Sequence, residues 1–249
     1  MNRKRRILLM VLAGAFSLIC GVFPDVHAEE HNAFTSMRDA LVHVGQIEEA
    51  GRPRLDMWLG TGFFVDERCT VATAKHLFNE ANKESIIIRF IDPRNRQKAW
   101  TRRAKIIYED PDKDLAFLQV LVASGKPCEL GLMKTLPLHR HLEYFSLLSG
   151  ETVFIAGFPK LGHGDLDLPI ARRGIIASAE IKDADGVPLL LLDLTGAPGF
   201  SGSPVVLERG GQAVGIVFGP GHMKRSQDFE FATIITQKDY EMFMKDRID

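Results

Sequence analysis

Short runs of apolar residues, or of alternating apolar and polar residues, make up most of the chain after residue 28 and are separated by turn residues. Such runs, rich in Val, Ile, Leu, Phe and Thr, are typical of β-strands rather than helices. The first half predicts six strands, over 40–47, 57–65, 70–74, 85–91, 98–107 and 115–122. The second half predicts six more, over 152–156, 170–181, 188–194, 203–207, 213–218 and 229–235. Apolar residues at helical spacing over 236–245 predict a closing C-terminal helix.

A stretch that contains Gly125, Pro127, Gly131 and Pro137 separates the two sets of strands. Because glycine and proline interrupt regular structure, this stretch predicts a connection between two structural units. Two sets of six strands joined in this way predict an all-β protein made of two packed, six-stranded antiparallel barrels. We divide the chain into a leader over 1–28, an N-terminal lobe over 29–124, a connection over 125–150 and a C-terminal lobe over 151–249.

The leader has the three-part pattern of a secretory signal peptide. Basic residues over 3–6 precede an apolar run over 7–23, and Val26 and Ala28 are small residues at the positions that signal peptidase reads. The apolar run is short for a membrane span, and an uncleaved anchor helix is the alternative. A twin-arginine signal, or lipidation at Cys20, fits the neighbouring residues less well. Cleavage after Ala28 predicts a secreted or periplasmic protein without stable membrane insertion.

Removal of the leader leaves 221 residues with 27 basic and 31 acidic side chains, a net charge of −4. No basic stripe stands out, so the composition gives no support for a nucleic-acid partner. Cys69 and Cys128 remain in the mature chain. A disulfide between them would close a loop of about 60 residues, worth ~4 kcal/mol in the chain-entropy description. Two free thiols fit the sequence equally well.

Ser201 is a candidate nucleophile because glycines flank it in the segment Gly199-Phe-Ser-Gly-Ser-Pro204. A serine hydroxyl needs a base, an exposed position and groups that hold the oxyanion formed during acyl transfer. Flanking glycines allow a tight turn that exposes the side chain and brings backbone N–H groups close to a substrate. The N–H groups of Gly199 and Ser201 are the expected oxyanion hole. A plain turn between strands is the alternative interpretation of this segment alone.

Two further residues supply the partners that such a serine needs. His76 follows an apolar predicted strand, and a neutral imidazole is the usual base for a serine. Asp114 opens another predicted strand, and its carboxylate is suited to accept the Nδ1–H of the histidine. Asp110 and Asp112 are rival acids, but only Asp114 adjoins the strand.

Five short motifs occur in order along the chain: Gly60-Thr-Gly-Phe-Phe-Val, Thr73-Ala-Lys-His76, Asp114-Leu-Ala, Ala156-Gly-Phe-Pro159 and Gly199-Phe-Ser-Gly-Ser-Pro204. This order resembles the trypsin-like peptidases, in particular the bacterial branch with glutamyl endopeptidases and HtrA-type proteases. The resemblance covers roughly residues 40–235. It implies a chymotrypsin-like fold and a serine endopeptidase that acts on protein or peptide substrates, with His76, Asp114 and Ser201 as its catalytic triad.

The resemblance also implies a primary substrate pocket, walled by Thr195 to Pro198 and by Val217, Phe218 and Gly219. Phe200 replaces the acid of the digestive enzymes, so activation by an ion pair with a freed N-terminus is not expected. Thr195 stands where a pocket for Lys or Arg has Asp, and Val217 stands where glutamyl endopeptidases have His. The pocket is therefore expected to take a neutral, small or apolar side chain.

The main alternative function is a catalytically silent trypsin-like module that acts as a periplasmic binding or chaperone protein. An esterase of the α/β-hydrolase type fits less well, because it would place Ser before Asp and His. His139 and His141, two residues apart, are weak evidence for a zinc site, so no metal site is expected. No cofactor motif occurs. The sequence leaves the natural substrate and the oligomeric state open.

Overall fold

The computed structural model describes residues 37–47, 58–78, 83–92, 95, 98–121, 134–139, 149–161, 164–165, 168–218 and 229–245. The leader, most of the connection, Cys128, His141 and Gly219 lie outside these residues, and their expected roles stay predictions. Within the described part of the chain, no helix is both long and apolar enough to span a membrane.

Six strands in the first half of the chain close into a barrel. They are β1 Leu41–Gln46, β2 Trp58–Phe64, β3 Thr70–Thr73, β4 Ile86–Ile91, β5 Ala99–Glu109 and β6 Ala116–Val120. Their order around the barrel is β1-β2-β3-β6-β5-β4, and all neighbouring pairs are antiparallel. Val44, Phe63 and Leu118 are fully buried in its core, which is why these apolar runs are stable as strands.

The second half forms another closed barrel and a small hairpin. The barrel strands are β7 Thr152–Gly157, β10 Ile170–Lys182, β11 Pro188–Asp193, β12 Pro204–Leu207, β13 Ala213–Phe218 and β14 Glu230–Ile234. Their order is β10-β11-β14-β13-β12-β7, again antiparallel throughout. The hairpin pairs β8 Lys160–Leu161 with β9 Gly164–Asp165. Ile155, Leu192 and Val205 are fully buried in this barrel's core.

A C-terminal helix, Gln237–Lys245, returns from the second barrel to pack on the first. Thr236 and Asp239 cap its start, because the Thr236 N–H donates to Asp239 Oδ2 at 2.7 Å and the Asp239 N–H donates to Thr236 Oγ1 at 3.2 Å. Phe243 then stacks on Phe117 of β6, with ring centroids 5.0 Å apart. The helix thus joins the two barrels.

The predicted fold class is confirmed. All twelve predicted strands are present, each within two residues of its predicted ends, and so is the C-terminal helix. The hairpin of β8 and β9 was not predicted, because two-residue strands give no periodic signal. Cys69 is buried and disulfide-bonded. Its bonded partner lies outside the described residues, so a bond to Cys128 stays a prediction.

Candidate active site

His76 lies in a single 3₁₀ turn, Lys75–Leu77, that follows β3. The residues on either side of His76 hold this turn in place. The Leu77 side chain is buried, and Lys75 Nζ donates to the Asp110 carbonyl oxygen at 2.5 Å. The His76 side chain itself remains 40% exposed. The local sequence therefore fixes the backbone of the histidine and leaves its ring open to a substrate.

Asp114 lies beside His76 because of the strand register. Thr73 at the end of β3 pairs with Ala116 at the start of β6, so the residues that flank these strand ends are neighbours. Asp114 Oδ2 is 2.6 Å from His76 Nδ1, and Asp114 Oδ1 accepts the His76 backbone N–H at 2.8 Å. A carboxylate at Nδ1 stabilises the tautomer with the proton on Nδ1, which leaves Nε2 as the basic nitrogen.

The rival acids are engaged elsewhere or exposed. Asp110 is buried, and its carboxylate accepts hydrogen bonds from the Tyr108 hydroxyl and from the backbone N–H groups of Asp112 and Lys113. Asp110 therefore stabilises the turn before Asp114. The Asp112 side chain is exposed to solvent. Among the described acids, the contact with the imidazole is made by Asp114.

Ser201 lies in a tight turn over residues 197–203, here called the nucleophile turn. The Phe200 N–H donates to the Ala197 carbonyl oxygen at 3.0 Å. Gly199 has φ of +97°, as the third residue of a type II turn requires. A β-carbon at Gly199 would lie 2.3 Å from the Phe158 carbonyl oxygen, so this position needs glycine for space as well as for backbone conformation.

Backbone hydrogen bonds fix the carbonyl groups of the nucleophile turn. The Pro198 carbonyl accepts the Lys160 N–H, the Phe200 carbonyl accepts the Ser203 N–H, and the Ser201 carbonyl accepts the Thr61 N–H. Each of these bonds is 2.8 Å long. By contrast, neither the Gly199 N–H nor the Ser201 N–H donates to an acceptor in the described part of the protein. Since the Pro198 carbonyl is held by Lys160, the N–H of the same peptide points the opposite way. Two N–H groups thus flank the serine and can bind an oxyanion.

Strand β2 brings the histidine and serine segments together. A β-carbon at Gly60 would lie 2.5 Å from the Ser201 carbonyl oxygen and 2.9 Å from Leu77 Cδ1. The residue after His76 and the backbone of Ser201 therefore approach the same point of β2. Among the described residues, the Ser201 hydroxyl has no hydrogen-bond partner. In enzymes without substrate, the bond between nucleophile and base is often long and tightens on binding.

Thr61 is a residue that sequence analysis did not single out. Its buried hydroxyl donates to the Gly199 carbonyl oxygen at 2.8 Å and accepts the Phe158 N–H at 3.0 Å. Its carbonyl oxygen accepts the Thr73 hydroxyl at 2.6 Å. Thr61 therefore ties the first barrel to the nucleophile turn and to Phe158, the residue after β7. Its position inside the motif Gly60-Thr-Gly was the available signal.

The expected pocket wall is described in part. Thr195 and Pro198 are exposed, Val217 is buried and Phe218 is half-buried, while Gly219 lies outside the described residues. Val217 is hydrogen-bonded to the nucleophile turn, because its carbonyl accepts the Gly202 N–H at 2.7 Å and its N–H donates to the Ser203 carbonyl at 2.9 Å. The wall and the nucleophile turn are thereby held in one backbone network.

Phe200 and His43 are two buried rings next to this network. Phe200 lies in the core of the second barrel, with the Arg172 guanidinium 5.8 Å from its ring centre. His43 of β1 stacks on Phe158, with ring centroids 3.5 Å apart. Burial, assisted by the charge of Arg89, lowers the pKa of His43 to about 3. His43 is therefore neutral, and its burial excludes it from contact with a substrate.

A separate cleft of about 630 Å³ lies beside the loop that precedes Asp114. Its walls are the 110–113 loop, the turn between β10 and β11, and the start of the C-terminal helix. Lys113 and Asp239 both line it, and Lys113 Nζ lies 2.5 Å from Asp239 Oδ1. His76 and Ser201 are not among the residues that line it.

Comparisons with known proteins agree with this architecture. The family model described as a trypsin-like peptidase domain matches residues 60–216, more than half of the chain. The crystal structure of Deg5 superposes with a TM-score of 0.60 at 18% identity, covering 88% of this chain and 94% of that one. The HtrA-type protease AlgW, solved with a tripeptide, gives a TM-score of 0.61 at 19% identity and covers 86% of this chain.

This chain spans 62% of the AlgW chain. At these identities the two structures show a common fold. No curated protein sequence matches the chain at a significant level. The match to the family model covers the segments that contain His76, Asp114 and Ser201. The chain therefore belongs to the trypsin-like peptidase family.

Proposed function

We propose that the protein is an active serine endopeptidase in which His76, Asp114 and Ser201 form the catalytic triad. The observation that carries this proposal is the two-point contact of Asp114 with His76, at 2.6 Å and 2.8 Å. It is supported by the N–H groups of Gly199 and Ser201, which have no acceptor among the described residues and can donate hydrogen bonds to an oxyanion. Membership of a peptidase family agrees with it.

In the proposed reaction, Asp114 holds the proton on His76 Nδ1, and His76 Nε2 removes the proton of the Ser201 hydroxyl. The Ser201 oxygen then forms a bond to the peptide carbonyl carbon. The N–H groups of Gly199 and Ser201 stabilise the oxyanion that results. The C–N bond breaks as His76 gives its proton to the leaving amine, and a water molecule, activated by the same histidine, hydrolyses the acyl-enzyme.

The proposed substrate is an extended segment of protein or peptide. Its backbone would pair with β13 at Phe218, as an added strand, and with Gly219 beyond it. The side chain before the scissile bond would enter between the 195–198 segment and Val217. This position is supported by the backbone bonds that join Val217 to the nucleophile turn.

The proposed location is secreted or periplasmic, on the strength of the leader over 1–28. Expression of the full chain in a bacterial host, followed by N-terminal sequencing of the purified protein, tests this. A start at Glu29 is expected. Retention of the leader in membranes would instead support an anchor helix.

One observation is compatible with the alternative of a silent binding module as well. The Ser201 hydroxyl has no hydrogen bond to His76 among the described residues. A family member that had lost turnover, and bound peptides without cleaving them, would show the same feature. The two functions differ in whether the serine reacts.

Fluorophosphonate labelling of the purified mature protein separates them. Wild type and Ser203→Ala should label, because Ser203 is buried in the same turn and serves as the matched control. Ser201→Ala should not label, and His76→Ala should label far more slowly. Ser201→Ala should also lower kcat by about 10⁵–10⁶-fold with the fold retained. No labelling of wild type between about pH 6 and 9, where an ordinary histidine becomes neutral, would support the silent module.

A further inference from the structure

Glu230, the first residue of β14, contacts the segment expected to wall the substrate pocket. A β-carbon built on Gly196 would lie 1.4 Å from Glu230 Oε2 and 2.5 Å from its Cδ. The carboxylate therefore occupies the space that a side chain at residue 196 would fill. A side chain at residue 196 would displace the carboxylate from this position.

The strand register shows which way the Glu230 side chain projects. Glu230 pairs with Leu192 of β11, and directly paired residues of antiparallel strands point to the same face. Leu192 is fully buried in the core of the second barrel, and so is Ala232, two residues further along β14. Side chains two apart on a strand share a face. Glu230 therefore points to the interior side of the barrel, at the end of β14.

The segments next to this end of β14 are joined to the nucleophile turn. Gly196 is followed by Ala197, which packs against the second core and accepts the N–H of Phe200. Val217, paired with Ala232 of β14, is bonded through its backbone to Gly202 and Ser203. The carboxylate of Glu230 thus lies against residue 196 of one expected wall, and its strand pairs with Val217 of the other. Its side chain is only partly exposed.

We infer that Glu230 is the specificity-determining acid of the pocket, and that the pocket takes a cationic side chain, Lys or Arg, before the scissile bond. A carboxylate among apolar walls favours a cation over an apolar group, because hydrogen bonds between charged groups strengthen as water is excluded. This inference rests on the proposed function. It replaces the expectation of a neutral side chain, which considered the residues at 195 and 217 but not β14.

Glu230 already interacts with another group of the folded protein. A substrate cation has to bind beside that group or displace it. We therefore expect Glu230 to bind a substrate cation more tightly than it binds its present partner. Substrate profiling measures this directly.

The first test compares kcat/KM for peptides that differ only in the side chain before the scissile bond. For wild type, Lys or Arg should exceed Val by at least about tenfold, the value of one charged hydrogen bond. Glu230→Gln should lower that ratio by about ten- to a hundredfold, and Glu230→Asp should lower it less. Glu208→Gln is the matched control, because Glu208 lies in the same barrel and pairs with Arg173 at its surface. A preference of wild type for Val, or an unchanged ratio in Glu230→Gln, overturns the inference.

The second test needs no turnover. Binding of p-aminobenzamidine, an aromatic cation, is measured by fluorescence on Ser201→Ala and on Ser201→Ala with Glu230→Gln. Binding that weakens at least about tenfold on loss of the Glu230 charge supports the pocket, even if wild type proves silent. Equal affinity of the two variants, with wild type cleaving peptides, would leave the proposed function intact and overturn the pocket inference. Thermal unfolding of each variant verifies the fold.

Discussion

The Thr61 hydroxyl in the first barrel donates a hydrogen bond of 2.8 Å to the Gly199 carbonyl oxygen in the second. The same hydroxyl accepts the Phe158 N–H at 3.0 Å, and both bonds are buried. The peptide between Gly199 and Phe200 is therefore held from the opposite barrel. Because the Gly199 N–H belongs to the proposed oxyanion hole, the geometry of that hole depends on the packing of the two barrels.

Thr61→Val should impair turnover more than substrate binding. Valine has nearly the shape of threonine but leaves a carbonyl and an N–H buried without partners, which costs about 1–3 kcal/mol of unfolding free energy for each group. Loss of one oxyanion donor lowers kcat by about 10²–10³-fold. Because Thr61→Val would misplace the Gly199 N–H rather than remove it, the decrease in kcat should not exceed this value. We expect kcat to fall by at least about tenfold with KM little changed. Thr61→Ser, which keeps the hydroxyl, should restore most of the rate, and equal losses in both variants would argue against this role.

Asp114→Asn should nearly abolish turnover without unfolding the protein. An amide at this position would donate to His76 Nδ1, so the proton would move to Nε2 and the ring could no longer accept the serine proton. A decrease of about 10⁴-fold in kcat is expected at neutral pH. Asp112→Asn, an exposed carboxylate two residues away, is the control and should retain wild-type kinetics. A similar decrease in both variants would mean that the turn, rather than the contact with His76, controls the rate.

The strands and the three candidate catalytic residues could be predicted from local sequence patterns. The proposed roles of Thr61 and Glu230 could not. The twelve strands were predictable because each is a short apolar or alternating run between turn residues. Residues Ala213 to Val217 of β13 are continuously buried, whereas β5 alternates in exposure from Ala99 to Lys105. His76, Asp114 and Ser201 could be nominated because each follows or opens such a strand or lies between glycines. The roles of Thr61 and Glu230 depend on contacts with residues far away in sequence; the Thr61–Gly199 bond spans 138 positions. Periodicity carries no information about such pairs.

Acid should destabilise the protein through His43. Burial lowers its pKa from 6.5 to about 3, so between these values the unfolded chain binds a proton that the folded protein does not. Stability is therefore lost as pH falls below about 6.5, and about 2 kcal/mol of the unfolding free energy should disappear between pH 7 and 5. Arg89, the residue paired with His43 on β4, disfavours the protonated ring as well.

Denaturant unfolding of wild type and His43→Phe at both pH values measures this contribution. Phenylalanine keeps the stacking on Phe158 and cannot titrate. The variant should lose about 2 kcal/mol less than wild type over that interval. His43→Gln, which also cannot titrate, replaces His43→Phe in this comparison if the phenylalanine variant packs poorly. Parallel losses in wild type and both variants would show that other groups govern acid sensitivity.

A comparison of Gly199→Ala with Gly210→Ala distinguishes backbone strain from steric collision of a β-carbon at the proposed oxyanion hole. Both glycines have positive φ, +97° and +87°, so alanine costs about 1–2 kcal/mol at either position. A β-carbon at Gly210 meets nothing within 4 Å, whereas one at Gly199 would lie 2.3 Å from the Phe158 carbonyl oxygen. Gly210→Ala should therefore lose stability but keep wild-type kcat.

In Gly199→Ala the turn has to shift, which displaces its N–H and should lower kcat by about 10²–10³-fold, the loss seen when one oxyanion donor is removed. Measurement of kcat and of denaturant unfolding for both variants distinguishes the two effects. If Gly199→Ala lost only as much stability as Gly210→Ala and kept its turnover, the turn would accommodate the methyl group without displacing the N–H, and the predicted need for glycine at this position would be wrong.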